Sequence, residues 1–354
     1  MRIFECDYCS HPLFFENERC EKCNYLTGYF SQDCDMLSFD PAQLVLKSEK
    51  DGKLFRYCDN KAFGVCNWLI PFEKNERFCP ACELNRIIPN LSDHQNFQKW
   101  QKLEVAKHRL IYQLDHLNLT YYSKLKDVDH GLCFDFLSRS PDHNRMTGHA
   151  SGVITILLDE ADSVHLEKMK SELLEPYRTL IGHFRHEVGH YFWDRLIATD
   201  SIDLEEFRKI FGDERKDYNQ ALLNYYQSKN QIVWQNEFIT QYASAHPWED
   251  WAETWAHYLH IMDMAETSFS FGLSVNPTTA SQFALRDKID FDPYLVSDFD
   301  KIFNAWLPIS FAINSLNRSM GIPDAYPFVI NRAVIGKMKF IHSLLFGIRE
   351  KQGL

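Results

Sequence analysis

No apolar run in this sequence is long enough to cross a bilayer. The longest, such as GVITILL at residues 152–158, hold seven residues, against about twenty for a spanning helix. The opening stretch MRIFECDYCSHP has neither an apolar core region nor a small-residue cleavage site, so no secretory signal is expected. Positive charge is also in deficit. The chain has 38 Lys and Arg against 49 Asp and Glu, a net charge of -11. That balance argues against a protein whose main task is coating nucleic acid or anionic membrane, while leaving room for a local basic patch. Neither an internal repeat nor a low-complexity tract is present. These absences lead to the expectation of a cytoplasmic protein with no membrane association, for which nucleic acid is not a main partner.

What is present suits a packed core: 45% hydrophobic and 14% aromatic residues. A chain of 354 residues suffices for one large domain with an appendage, or for two domains. The ten cysteines are unevenly placed. Cys6 and Cys9 form one Cys-x-x-Cys, and Cys20 and Cys23 form another after a ten-residue gap. Two such pairs on tight turns can converge as four thiolates around a tetrahedral zinc, the arrangement of a zinc ribbon. In a reducing compartment this reading is favoured over disulfides. Cys58, Cys66, Cys79 and Cys82 form a second set with less regular spacing, read as a second zinc site. Cys34 and Cys133 stand apart and read as ordinary buried thiols. So small a region buries little apolar surface, and metal would supply much of its folding free energy.

A Pro-Asn-Leu-Ser turn in RIIPNLSDHQNFQKW marks a boundary, followed by the helical pattern NFQKWQKLEVAKHRLIYQL. We therefore expect a zinc-ribbon region at 1–90 and a second domain at 91–354. GLCFDFLS and GVITILLDE read as strands. After Pro176 the chain turns helical, with segments near 203–211, 215–228, 231–243, 247–264, 296–317 and 333–349. The fold class expected is α+β, a small sheet followed by many helices.

The stretch GHFRHEVGHYFWD carries His-Glu-x-x-His on a helix expected from about Tyr177 to Ala198. His186 and His190 are four apart and project from one face within reach of a single ion, with Glu187 placed to act on a water bound there. Gly189 costs roughly 1 kcal/mol of helix propensity, which suggests that another backbone or a substrate passes close. A catalytic zinc needs a third protein ligand. HPWEDWAETWAHYLH offers Glu249 and Glu253 four apart on one face, with His257 a turn further on. Two carboxylates sharing an aromatic-rich face are costly to bury without a cation. Pro247 suits the first helical turn, and Asp250 falls off the shared face, towards solvent or a capping role.

These residues carry a resemblance. GHFRHEVGHYFWDRL and HPWEDWAETWAHYLH, with MTGHASGVITILLDEAD, EPYRTLIGHF, FGDERKDYNQAL and NRSMGIPDAYPF, resemble the bacterial zinc-binding metallopeptidase family that carries an N-terminal zinc ribbon. The wider group is the gluzincins. The resemblance implies a zincin-like body hydrolysing peptide bonds, with one catalytic zinc and one or two structural ones. EDWAE is similar to the acidic motif of that group, which implies Glu249 as metal ligand and Glu253 as the residue orienting a histidine, although Glu253 as ligand stays open. Such enzymes add a Tyr, His or Arg to steady the oxyanion, for which Tyr326, His257, His183 and Arg318 are candidates. By the same analogy GVITILL would pair with a peptide substrate. The partners implied are a peptide or protein substrate and a protein held by the ribbon. Two other readings remain: a protein-binding module on a zincin scaffold with little turnover, and a DNA-associated protease like the SprT group.

Overall fold

The computed structural model describes residues 1–138, 147–162, 179–227, 233–278 and 285–352. Their contacts form two compact units, Met1–Gly148 with Gly152–Ser163, and His149–Ser151 with Val164–Leu354. The architecture is α+β: small sheets come first and helices dominate afterwards. No described helix is long and apolar enough to cross a membrane.

In the first unit, strands β1 (Phe4–Glu5) and β2 (Pro12–Leu13) form a hairpin whose loop holds Cys6 and Cys9. β3 (Leu26–Phe30) and β4 (Asp35–Phe39) pair antiparallel, and β5 (Leu46–Lys47), β6 (Leu54–Tyr57) and β7 (Leu69–Pro71) form a three-stranded sheet. Alternation along these short strands turns Phe30, Leu37, Phe39, Phe55 and Leu69 into one buried cluster. A short helix, α1 (Pro80–Glu83), carries Cys82 and leads into β8 (Asn85–Ile87). The long helix α2 (His94–His116) begins at Asp93, whose side chain accepts from the Gln95 and Asn96 amides. It ends the PNLSD turn read from sequence.

A four-stranded sheet follows in the order β10 (Gly148–Ala150), β11 (Val153–Leu157), β9 (Cys133–Leu137), β8. β9 and β11 are parallel, with Phe134 opposite Ile154 and Phe136 opposite Ile156, all fully buried. The structure corrects one expectation here. GVITILL has a strand on each side, so its backbone groups are already paired and it has no edge to offer a peptide.

The second unit is helical: α3 (Leu180–Phe192), α4 (Ser201–Phe211), α5 (Tyr218–Gln227), α6 (Pro247–Ser270), α7 (Phe299–Ser319) and α8 (Arg332–Lys351), with a two-residue pair of strands, β12 (Ser274–Val275) and β13 (Asp287–Lys288). The expected start of the motif helix at Tyr177 lies outside the described residues. Thr179 caps α3 by accepting from the Gly182 amide at 3.1 Å, and beyond Phe192 the helix widens into a π-turn over Trp193–Ile197. Segment 231–243 is not a helix in its described part. It makes two short 3-10 turns, Trp234–Asn236 and Tyr242–Ser244, and between them the Thr240 hydroxyl accepts from the Ala243 amide and donates to Glu253 Oε2.

α3 and α6 pack closely, and Gly189 makes that possible. A Cβ there would stand 3.1 Å from Ala252 Cα and 3.2 Å from Trp255 Cδ1. The Trp251 indole N–H donates to the Gly189 carbonyl at 2.8 Å, and Phe192 stacks on Trp255. Arg185 on α3 donates to His260 Nδ1 and Asp263 Oδ2 on α6, each at 2.6 Å. Asp250 is corrected as well: it is buried and pairs with Lys337 of α8 at 2.7 Å, so it neither caps nor reaches water. An isolated buried charge is costly, and the pairing offsets part of that cost.

Gly189→Val should lower stability by about 1–3 kcal/mol or more, because overpacking forces the two helices apart. Urea unfolding followed by tryptophan fluorescence measures it. A variant as stable as the parent would mean that this contact does not set the helix spacing.

Candidate metal centres and active site

Both cysteine sets converge. In the first, the Sγ atoms of Cys6 and Cys23 lie 3.6 Å apart, as do those of Cys9 and Cys20. All four fall within 4.8 Å of one another. The two turns repeat one geometry. The amide of the residue four beyond the first cysteine donates back to it, Ser10 to Cys6 and Asn24 to Cys20, each at 2.8 Å. Ser10 and Asn24 both have positive φ, as so tight a turn requires. In the second set Cys66 and Cys79 are 3.7 Å apart, and all four sulfurs again fall within 4.8 Å. The amides of Cys79 and Trp68 donate to the sulfurs of Cys58 and Cys66. A tetrahedral zinc with bonds of about 2.3 Å sets its sulfurs roughly 3.8 Å apart, so both sets fit one. His108 of α2 stands behind the second set, its Nε2 3.5 Å from Cys82 Sγ and its Nδ1 donating to the Glu104 carbonyl. None of the ten cysteines is in a disulfide.

In the second unit, α3 presents His186 and His190 and α6 presents Glu249. His186 Nε2 lies 3.2 Å from His190 Nε2 and 3.1 Å from Glu249 Oε2, and His190 Nε2 lies 3.6 Å from the same oxygen. Bonds of about 2.0–2.1 Å to a tetrahedral zinc imply ligand atoms roughly 3.3 Å apart. Two further facts make the set fit a cation. Glu249 Oε2 is buried and makes no hydrogen bond among the described residues. The His186 Nδ1–H donates to Glu253 Oε1 at 2.7 Å, so Nε2, across the ring, is the nitrogen turned to that oxygen. Burial pushes the Glu249 carboxyl up, but His190 and His186 more than reverse this and hold it well below its usual range.

Glu253 therefore lies behind the His186 ring, on the nitrogen away from Glu249. Its other oxygen accepts from Thr240 Oγ1 at 2.7 Å. Burial raises its pKa, and the hydrogen bond and charge of His186 bring it down to about 2. Glu187 is buried and takes a hydrogen bond from His183 Nε2 at 2.9 Å. Burial again raises its pKa, and His183 is the first of the groups that bring it below the ordinary value. His183, one turn before His186, is thus the partner of Glu187.

His257 and Tyr326 are placed elsewhere. Tyr326 sits in the core, not on a rim, and its hydroxyl shares a hydrogen bond with His257 Nδ1 at 2.7 Å. Asn314 clamps both backbone groups of Tyr326, at 2.8 and 3.0 Å. Burial lowers the His257 imidazole to about 4, so the ring is neutral. His257 is not one of the groups that converge with His186, His190 and Glu249, although it feels the charges of Glu253 and His186. Arg318 is exposed and paired with Asp324, while His246 caps α6 by accepting from the Trp248 amide.

Three residues near this face carry no spacing that ties them to the motif. Thr240 is one. Tyr218 donates its hydroxyl to Glu249 Oε1 at 2.6 Å. The Tyr242 ring centroid lies 6.0 Å from that of His186, and its hydroxyl is held protonated by burial and by the charges of Glu249 and Glu187. The one signal for Tyr218 was its place inside FGDERKDYNQAL.

Residues 96–344 match the family model described as "Putative zinc-binding metallo-peptidase", and residues 3–93 match a zinc-ribbon domain. Uncharacterized proteins of Mycobacterium bovis and of two Mycobacterium tuberculosis strains are 41% identical over 345 residues, covering 98% of this chain and 95% of theirs. No solved structure matches. On the zinc-ribbon match, the peptidase match over most of its length and this identity, the chain belongs to the zinc-binding metallopeptidase family with an N-terminal zinc ribbon.

Proposed function

We propose that the chain hydrolyses peptide bonds in a peptide or protein substrate, with His186, His190 and Glu249 as the ligands of a catalytic zinc. The observation that carries this reading is the convergence of two imidazole Nε2 atoms on a buried carboxylate oxygen that has no hydrogen bond. When bound there, zinc polarises the scissile carbonyl and makes water acidic enough to react near neutral pH. The remaining work falls to the chain. Glu187 takes the proton of the attacking water and passes it to the leaving amine. His183 keeps that carboxylate ionised and turned to one side by holding Oε1. Glu253 fixes the His186 tautomer, with Nδ1 protonated and Nε2 bare. Tyr242 takes the oxyanion role in place of Tyr326 and His257. Its ring lies 6.0 Å from that of His186, and burial keeps its hydroxyl protonated and able to donate.

Residues 1–90 then serve as a region held by two structural zinc ions, and 91–354 as the peptidase body. The buried, ionised Glu187 supports turnover over a purely binding role, and the net charge of -11 supports a peptide over DNA.

The purified chain should hold three zinc ions by elemental analysis, and His186→Ala should hold one fewer; no loss in that variant would falsify the assignment. Glu187→Gln should keep all three and lose cleavage of a peptide library by roughly 100-fold or more. Tyr242→Phe should also keep its metal, with kcat down about 100-fold and KM little changed. Full activity in Tyr242→Phe would return the oxyanion role to another residue.

A further inference from the structure

A carboxylate can bind a metal through one oxygen or through both, and what else holds the second oxygen decides between them. Glu249 is nearly fully buried, so neither of its oxygens is satisfied by water. Oε2 faces His186 and His190, whereas Oε1 accepts the Tyr218 hydroxyl at 2.6 Å. We propose that Tyr218 is a positioning residue that fixes Glu249 as a one-oxygen metal ligand and so keeps a coordination position open for substrate. The proposal rests on the peptidase reading above and deepens it.

Tyr218 is itself held where this requires. It is the first residue of α5, and its ring lies edge-on to His246 at 5.2 Å and near Trp248 at 5.8 Å. His246 Nδ1 accepts from the Trp248 amide, so its Nε2–H donates to the Lys216 carbonyl at 3.1 Å. That hydrogen bond ties the chain just before Tyr218 to the first turn of α6, the turn that carries Glu249. Against a carboxylate oxygen the phenol is the donor. Thr240 does for Glu253 what Tyr218 does for Glu249. It takes Oε2 and leaves Oε1 to His186 Nδ1. Glu249 and Glu253 thus each have one oxygen held by a hydroxyl from the segment between α4 and α6, and one oxygen turned to the site.

Tyr218→Phe keeps the ring packing and removes only the donor. The full chain, with both cysteine sites filled, is titrated with a mild chelator, and zinc retained at the His186 site is measured. The variant should hold that zinc about 10–100-fold less tightly, the usual cost of losing a group that orients a ligand. Its cobalt-substituted form should show weaker visible bands, because a freed Oε1 raises the coordination number. A purely structural tyrosine would lower Tm and leave zinc affinity unchanged, and that result overturns the proposal. Absence of any His186-dependent zinc in the wild type would overturn the peptidase reading and this inference together, whereas unchanged affinity in Tyr218→Phe overturns the inference alone.

Discussion

The helical unit turns on the contact between Gly189 and Ala252. A Cβ on α3 at this point would stand 3.1 Å from Ala252 Cα, so any other residue would push α6 back by a few tenths of an ångström or more, and this closeness helps set the distance from the two histidines to Glu249. Trp251 and Trp255 lock the approach, one by a hydrogen bond to the Gly189 carbonyl and the other by stacking on Phe192. The glycine costs helix propensity inside the motif, and interhelical packing offsets that loss. A wider spacing would leave Glu249 too far from the histidines for one ion to bridge them.

Bringing acids and histidines together in a dry place carries an electrostatic cost that the structure handles locally. Glu253 has His186 and Thr240, Glu187 has His183, Asp250 has Lys337, and one oxygen of Glu249 has Tyr218. The remaining oxygen of Glu249 is the exception, buried and without a hydrogen bond among the described residues. A carboxylate oxygen left unsatisfied where Glu187, Asp250 and Glu253 around it all have partners is the expected signature of a site built for a cation.

The cysteine-rich part follows a different rule. Its strands are two to five residues long and support only a small apolar cluster. Two sets of four sulfurs at tetrahedral spacing supply the cross-links that such a core lacks. α2 falls inside the span matched by the peptidase model, yet it packs in the same compact unit as the cysteines and places His108 against Cys82. The family boundary near residues 93–96 is therefore a boundary in sequence and not between the compact units.

The sequence by itself determined the parts whose chemistry is local. Cys-x-x-Cys turns, the i and i+4 histidines, the proline opening α6 and the caps depend on near neighbours in the chain, and spacing alone exposes them. It also narrowed the third ligand to two glutamates on one helical face, and it marked Gly189 as a point of close approach. Only the tertiary structure placed Glu249 and Glu253 on opposite nitrogens of the His186 ring, because which nitrogen each meets is set across a helix interface. It also moved Tyr326 and His257 into the core, drew Asp250 onto Lys337, and brought Tyr218, Thr240 and Tyr242 beside the histidines from segments with no periodic relation to them. A hydrogen bond between residues distant in the chain leaves no spacing to read; it forms only when packing sets the distance between two helices.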